Sequence, residues 1–547
     1  MSLQESEENS VSGSSAAAPS ASGSQPQERD SKSTRQVNRS NADFHTEETR
    51  YEQAFYQLAA AIEQRLQELQ ELLDNQQKSH QEKSLEQPLA RSHFKLSVVG
   101  EQSQFTRFNR AKIRQSGQVC DGQITLTLIS TKHQTATISL PFVGELETDW
   151  STLRPLLEQL HQEVLDLPVD PYVVLPLVVS DSSKARANSE EHANSEEHAS
   201  KKTCSREVHQ GNLLPLTELA DSLLTPVESL DFSGLYASGY AYRGYADSAG
   251  KQHWFATPSF TLDYSLFSQA HSKSDSKLAT NQLAVKGTLA GNQWQQQDYQ
   301  QSIESAAKQL ALSNVTRRRV ERGQYRTYLA PTAVAEIIDT IACGGLGAAA
   351  LRQGNSAFSR LEKGEVALSH QFSLGEDFQR SRRPRFNADG EIAPLQLPII
   401  QNGHWVNALV NGRSEKEYGQ PSNGANRAEA MRAVSVAPGT LKEEAILSEL
   451  KTGLYVSNLH YLNWSDLSAG HITGMTRYAC FWVDNGKLVA PIENLRFDDD
   501  LYRFLGEGLM AVTDRQTFIP ATGTYNRRSL GGMWVPGMLI ESFRYTL

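Results

Sequence analysis

The 547-residue sequence predicts an α+β protein of two domains, an N-terminal helix plus antiparallel sheet domain and a β-rich C-terminal domain. Three observations carry this expectation. Apolar residues at spacings of three and four run from Tyr51 to Leu73, the period of one helix face. Short runs rich in Val, Ile, Thr and Phe, broken by turn residues, fill 94–142, 232–268 and most of the chain beyond 323. The length also exceeds what one simple core organises, since domains commonly hold about 100–200 residues.

Residues 1–45 are rich in Ser, Gln, Glu and Gly and nearly free of large apolar groups, so a disordered tail is expected. The N-terminal domain is placed at 46–322. Its helix, through Tyr51, Phe55, Leu58, Ile62, Leu66, Leu69 and Leu73, should cover a sheet rather than meet a partner helix. The runs "FKLSVV", "QFTRFNRAKI", "GQITLTLIS" and "QTATISL" predict an antiparallel meander, followed by a helix from about Trp150 to Leu165 and the strand "YVVLPLVV" at 172–179. A mobile insertion is expected at 181–212, marked by the direct repeat "ANSEEHANSEEH". Two copies of a charged hexapeptide are too short for a solenoid, and nothing there fixes His192 and His198 as metal ligands. Beyond it, "NLLPLTELADSLLTPV" is helical, 232–268 holds strands joined at "ADSAGKQ", "LAVKGTLAG" is a further strand, and Gln297 to Leu312 is a helix. Five arginines in "TRRRVERGQYR" (316–326) read as a solvated connector into the C-terminal domain, 323–547. There a strand passes through Pro331 into "VAEIIDTIACGGLGAAALRQG" (334–354), one apolar helix running into small residues. Alternating strands follow, with "DNG" at 484–486 a hairpin turn.

Charged residues make up 21% and apolar residues 39%, with a net charge of −10, which suits a globular protein and argues against a general nucleic-acid binder. Cys120, Cys204, Cys343 and Cys480 are scattered without a C-x-x-C pair, so no zinc knuckle or disulfide framework is expected and a reducing, cytoplasmic setting fits. No apolar run reaches the roughly 18–20 residues that span a bilayer, and no secretory signal is expected.

The glycine cluster at 344–347 fails as a phosphate cradle, because no lysine follows and the glycines come late in the helix. Close packing of Gly344, Gly345, Gly347 and the alanines 348–350 is the expectation. No H-E-x-x-H or G-x-S-x-G occurs, and Cys343 on an apolar helix should be an inert buried thiol. Asp498, Asp499 and Asp500 read as a solvated turn. The nearest thing to a metal cluster is His460, His471 and Cys480, at spacings that match no zinc template.

In order along the chain, "YLAPTAVAEIIDTIACGGLGAAALRQGNSAFS", "PRFNADGEIAP", "LPIIQNGHWVNALVNGRSEKEYG", "SNGANRAE", "GLYVSNLHYLNWSDLSAGHITGMTRYACFWVDNGKLVAPIENLRF" and "GGMWVPGMLIESFRYTL" resemble the TldD/PmbA family, nearer its metal-free TldE/PmbA type and a cyanobacterial-like branch. The family is associated with peptide proteolysis. In its metal-binding TldD type this helix carries His-Glu-x-x-x-His ahead of Arg-x-Gly-Thr-Ser-x-Phe-Ser. Aligned on "RQGNSAFS", those three positions fall on Asp339, Thr340 and Gly344, and the family's cysteine ligand falls within "GTYNRRSLGG" (523–532), which has no cysteine. The resemblance thus implies a TldE-like subunit of a peptidase assembly with no metal or other cofactor. It implies a homodimer, or a heterodimer with a TldD-like subunit, that grips an extended peptide through backbone hydrogen bonds. His460, Asn463, Trp464 and Arg477 are the substrate-cavity candidates, with a β-core role for the aromatics as the alternative. Two further readings stay open. One is an active peptidase with a rearranged site, drawing on His460, His471, Cys480 and Glu493, and the other is a non-catalytic dimeric scaffold.

Overall fold

The helix expected at 51–73 runs from Asn41 to His80 in the computed structural model, which describes residues 41–80, 92–176, 204–268, 283–312, 315–343 and 345–546. Tyr51, Phe55, Leu58, Ile62 and Leu66 are buried in one cluster with Leu96, Val98, Ile124, Leu126 and Leu128 of the sheet beneath. Each such side chain contributes about 1.5–3 kcal/mol by leaving water. Of the expected tail, 1–40 lies outside the described residues, while 41–45 already belong to this helix. The helix start is anchored by Glu48, which accepts a hydrogen bond from Trp254 Nε1 at 3.0 Å and pairs with Arg206 at 3.0 Å.

That sheet has seven strands, in the order Thr135–Pro141, Ile113–Ile129, His93–Phe108, Asp231–Asp247, Gln252–Phe267 and Cys204–Val208, with Ala284–Gly291 also paired to Gln252–Phe267. All pairs are antiparallel except Cys204–Val208 on Gln252–Phe267. Cys204–Val208 falls inside the expected insertion at 181–212; the insertion's repeat, with His192 and His198, lies outside the described residues.

Two sequence expectations change here. "FKLSVV" and the following run are one strand, His93–Phe108, continuous through Gly100. A Cβ at Gly100 would stand 2.2 Å from Tyr242 Cζ, so this glycine admits a tyrosine ring and makes no turn. The start of "YVVLPLVV", 173–176, has no strand. Pro168, Pro171 and Pro176 deprive this stretch of ladder donors, and it lies instead along the helix Gly412–Tyr418, where Arg413 pairs with Asp170 at 2.6 Å.

The C-terminal half builds two sheets. One has six strands, ordered His404–Trp405, Gln396–Gln401, Leu374–Asp377, Val434–Val436, Gly532–Val535 and Thr517–Pro520. The other has nine, ordered Asn458–Asp466, His471–Arg477, Arg496–Asp500, Met538–Tyr545, Gly323–Leu329, Gly453–Val456, Phe481–Asp484 and Lys487–Pro491, with Leu509–Val512 also on Met538–Tyr545. The expected hairpin is made by Asn485 and Gly486, both at positive φ, between Phe481–Asp484 and Lys487–Pro491.

A helix, Pro331–Ala342, packs against both sheets: Val334, Ile337, Ile338 and Ile341 share one buried cluster with Leu454, Ile540, Ile399 and Val535. Pro331 stands in its first turn, where a missing N–H costs nothing. The helix ends at Cys343, before the glycines, and a short second helix spans Ala348–Arg352. The expected single helix is therefore broken, and Gly344 lies outside the described residues. Close packing is real at Gly347, where a Cβ would stand 2.5 Å from Glu429 Cβ. Glu429 accepts from Ala349 N at 2.7 Å and from Asn411 N at 3.2 Å.

Asp498–Asp500 are strand residues and no turn. Asp499 is fully buried, paired with Arg503 and accepting from Arg544 N at 2.8 Å, while Asp500 caps a short helix through Tyr502 N.

The N-terminal sheet is fastened to the C-terminal half by the loop after Pro520. Arg528, 3% exposed, donates from Nε to Ser103 Oγ at 2.7 Å and from Nη1 to Ser259 Oγ at 2.9 Å. Glu101 Oε2 accepts from Arg528 N at 3.0 Å and lies 3.6 Å from the guanidinium. His253 stacks on Phe386 at 5.3 Å, and Lys95 pairs with Asp389 at 2.5 Å.

Candidate functional site: a charged recess on the central helix

The inward face of Pro331–Ala342 is entirely apolar, so its polar residues collect on the other edge. Glu336, Asp339 and Cys343, at spacings of three and four, all lie on that edge and are exposed. They floor a recess of about 210 Å3 whose walls come from Arg383, from Met431, Arg432 and Val434, and from Ile519, Ala521, Gly532 and Met533. Four chain segments far apart in sequence thus meet here, and the loop joining the last two strands is the one that Arg528 fastens to the N-terminal sheet.

The two arginines differ in what they do. Arg432 donates its Nη groups to the carbonyls of Phe386, Arg385 and Gly424 at 3.0, 3.2 and 2.8 Å and lies over the Phe378 ring, so it braces the surrounding loops. Among the described residues Arg383 spends only Nε of its guanidinium, on Leu530 O, and leaves both Nη groups without a hydrogen bond.

Glu336, Asp339 and Cys343 meet solvent in the recess, yet enough protein surrounds them for desolvation to act. Burial pushes the Asp339 carboxyl above its usual range and Arg383 pulls it back. Burial and then Asp339 raise Glu336, which Lys286 partly offsets. Burial and Asp339 also raise the Cys343 thiol. Burial lowers the Arg383 guanidinium, opposed by Glu376 and Asp339. Charge of both signs therefore faces one small space. The thiol stays protonated at neutral pH, so it is a poor nucleophile.

Of the positions singled out in the sequence, Asp339 lines the recess. Thr340 turns its hydroxyl back to Glu336 O at 3.0 Å. None of His460, Asn463, Trp464 and Arg477 is among the residues that line the recess. His460 and Arg477 meet at 3.3 Å on the hairpin Asn458–Arg477, where burial and Arg477 depress the imidazole; Asn463 is exposed and Trp464 packs partly on the core. His471 lies opposite Asp466, at the far end of that hairpin from His460, and is 3.5 Å from Asp498. Cys480 is 2% exposed with its thiol on Arg477 O, and Glu493 is exposed, so these groups do not converge. Sequence reasoning missed Glu336 and Arg383 and took Cys343 for a buried thiol, whereas the helix end leaves it exposed. The polar spacing on an apolar helix could have revealed Glu336 and Cys343, whereas nothing in "RSRRPRF" distinguishes Arg383.

With this geometry in view, residues 322–546 match the PmbA/TldA metallopeptidase C-terminal domain. That stretch of the chain is a domain of the TldD/PmbA family. The fold of most of the chain is similar to that of TldE from Thermococcus kodakarensis, at a TM-score of 0.64 and 13% identity, covering 83% of this chain and 97% of that one. It is also similar to that of a protein described as a modulator of DNA gyrase from Thermotoga maritima, at 0.61 and 12% identity, covering 83% and 96%. A third, from Bacteroides thetaiotaomicron and described in the same way, matches at 0.61 and 13%, covering 83% and 94%. At such identities the likeness is one of fold. No curated protein matches in sequence.

The family name raises the question of a metal. A catalytic zinc needs three protein donors, commonly imidazole, carboxylate or thiolate. The residues at the family's ligand positions do not fit: Asp339 is a lone carboxylate, Thr340 is turned to the backbone, Gly344 has no side chain, and 523–532 holds no cysteine. Among the described residues no three His, Cys, Asp or Glu side chains are grouped to hold a metal ion.

Proposed function

We propose that this chain is a TldE-like, metal-free subunit of a peptidase assembly, pairing with a TldD-like subunit or with a second copy of itself. The observation that carries the reading is the state of one segment: it lies within the matched domain, and its motif positions hold Asp339, Thr340 and Gly344 in place of a zinc-binding set. In this reading 46–322 and 323–547 act as two domains. The protein is cytoplasmic, and nucleic acid and membranes are not its partners. No helix among the described residues is long and apolar enough to cross a bilayer.

Among the described residues Asn458–Asp466 is the outermost strand of the nine-stranded sheet, with one edge of its backbone unpaired by other strands. An extended peptide adds there through main-chain hydrogen bonds, with His460, Asn463, Trp464 and Arg477 facing it. Copurification from native extract should yield a TldD-like partner or a homodimer, and elemental analysis should find below about a tenth of an equivalent of zinc on this chain. A monomer that never captures a relative, or zinc near one equivalent, would overturn the proposal.

A further inference from the structure

We propose that the recess beside Asp339 is a binding site for a zwitterionic ligand of the amino-acid type, with the ligand's carboxylate on Arg383 and its ammonium on Asp339. The inference goes beyond the subunit assignment and does not depend on it.

Three features support it. Arg383 is largely buried, and its Nη pair has no hydrogen bond among the described residues, so the planar fork that suits a carboxylate is left open toward the space it lines. The opposite charge stands on the helix edge in Asp339, which also lines the space and whose carboxyl Arg383 pulls down; Glu336 lines it too, with Lys286 partly offsetting its burial. Neither charge suits a simple ion. A lone anion would meet Asp339 and Glu336, and a metal cation would meet Arg383. A molecule carrying both signs satisfies both walls.

Size and surface narrow the class. About 210 Å3 holds roughly seven waters' share of liquid and falls below the usual 300–1,000 Å3 of drug-sized pockets. Ile519 and Met533 line the space partly exposed, with Met431 and Val434 buried beneath, so a small apolar side chain has a surface to cover. A free amino acid and a dipeptide share this chemistry.

The test is calorimetric titration of the full chain with leucine, leucyl-leucine, N-acetyl-leucine and leucinamide. Leucine or leucyl-leucine should bind, and blocking the ammonium or the carboxylate should weaken binding at least tenfold. Leucine alone would point to free amino acids, and leucyl-leucine alone to peptide ends. Asp339→Asn, on an exposed helix edge where folding should be unaffected, should abolish the preference for a free amine. Arg383→Lys should lose the preference for a free carboxylate, with circular dichroism as its folding control. Equal binding of blocked ligands, no binding at millimolar concentration by folded wild type, or unchanged selectivity in Asp339→Asn would each refute the site. Because copurification of a partner does not involve the recess, either proposal can fail alone.

Discussion

Arg528 offers the sharpest test of how the two halves are joined. It and Glu101 are 3% exposed each, and the guanidinium also holds Ser103 and Ser259. Arg528→Met removes the cation while keeping most of the side-chain volume, and strands Glu101 as a buried carboxylate. Breaking such a pair from one side costs about 3–5 kcal/mol. Unfolding entropy of about 2.1 cal/mol/K per residue over about 500 residues gives about 1 kcal/mol/K, so the midpoint should fall about 3–5 °C by scanning calorimetry. Pairing the change with Glu101→Gln should recover part of the loss, because the stranded charge is gone. Hydrogen exchange should rise first in 519–533, the recess wall that Arg528 secures. The neighbouring pair, Arg527 with Asp121 at 2.9 Å, has a half-exposed carboxylate, so Arg527→Met should cost at most about 1 kcal/mol. A shift below about 1 °C for Arg528→Met with unchanged exchange would show that this contact is not what holds the halves together.

Gly347→Ala should destabilise by about 1–3 kcal/mol, since its methyl would meet Glu429 Cβ at 2.5 Å, and urea unfolding would read this. His161 is buried with neither ring nitrogen hydrogen-bonded, and burial lowers its pKa. The unfolded chain therefore binds the proton first, so stability is lost as pH falls below about 6.5. His161→Leu should flatten that decline in pH-dependent denaturation. Alkylation of Cys343, followed by peptide mass spectrometry, should reach half its maximal rate above the usual thiol pKa of about 8.5, and Asp339→Asn should lower that midpoint by removing the anion that helps raise it.

Elements with a clear period were legible in the sequence. The helix through Phe55 and Ile62, the hairpin at Asn485–Gly486 and the turn after Asp247 announce themselves by side-chain spacing or turn chemistry. What failed were places where a tertiary contact changes a residue's meaning. Gly100 looks like punctuation until the ring of Tyr242 is seen above it. Asp499 looks like a solvated turn until Arg503 is found beside it. The prolines of 168–176 outweigh the β-branched residues between them. Of the recess, the sequence marked only Asp339, through a family motif; Arg383 and Met533 belong to segments whose meeting no local pattern encodes.

The position of Met538–Tyr545 has a consequence for how the molecule is made. It lies between Gly323–Leu329 and Arg496–Asp500, deep inside the nine-stranded sheet, although its antiparallel neighbour Gly323–Leu329 leaves the ribosome long before it. Until it arrives, that earlier strand waits with one row of amide and carbonyl groups bare, the condition that invites wrong partners. Closure of the sheet is a slow, long-range event, and chaperone capture during translation should concentrate on that waiting edge.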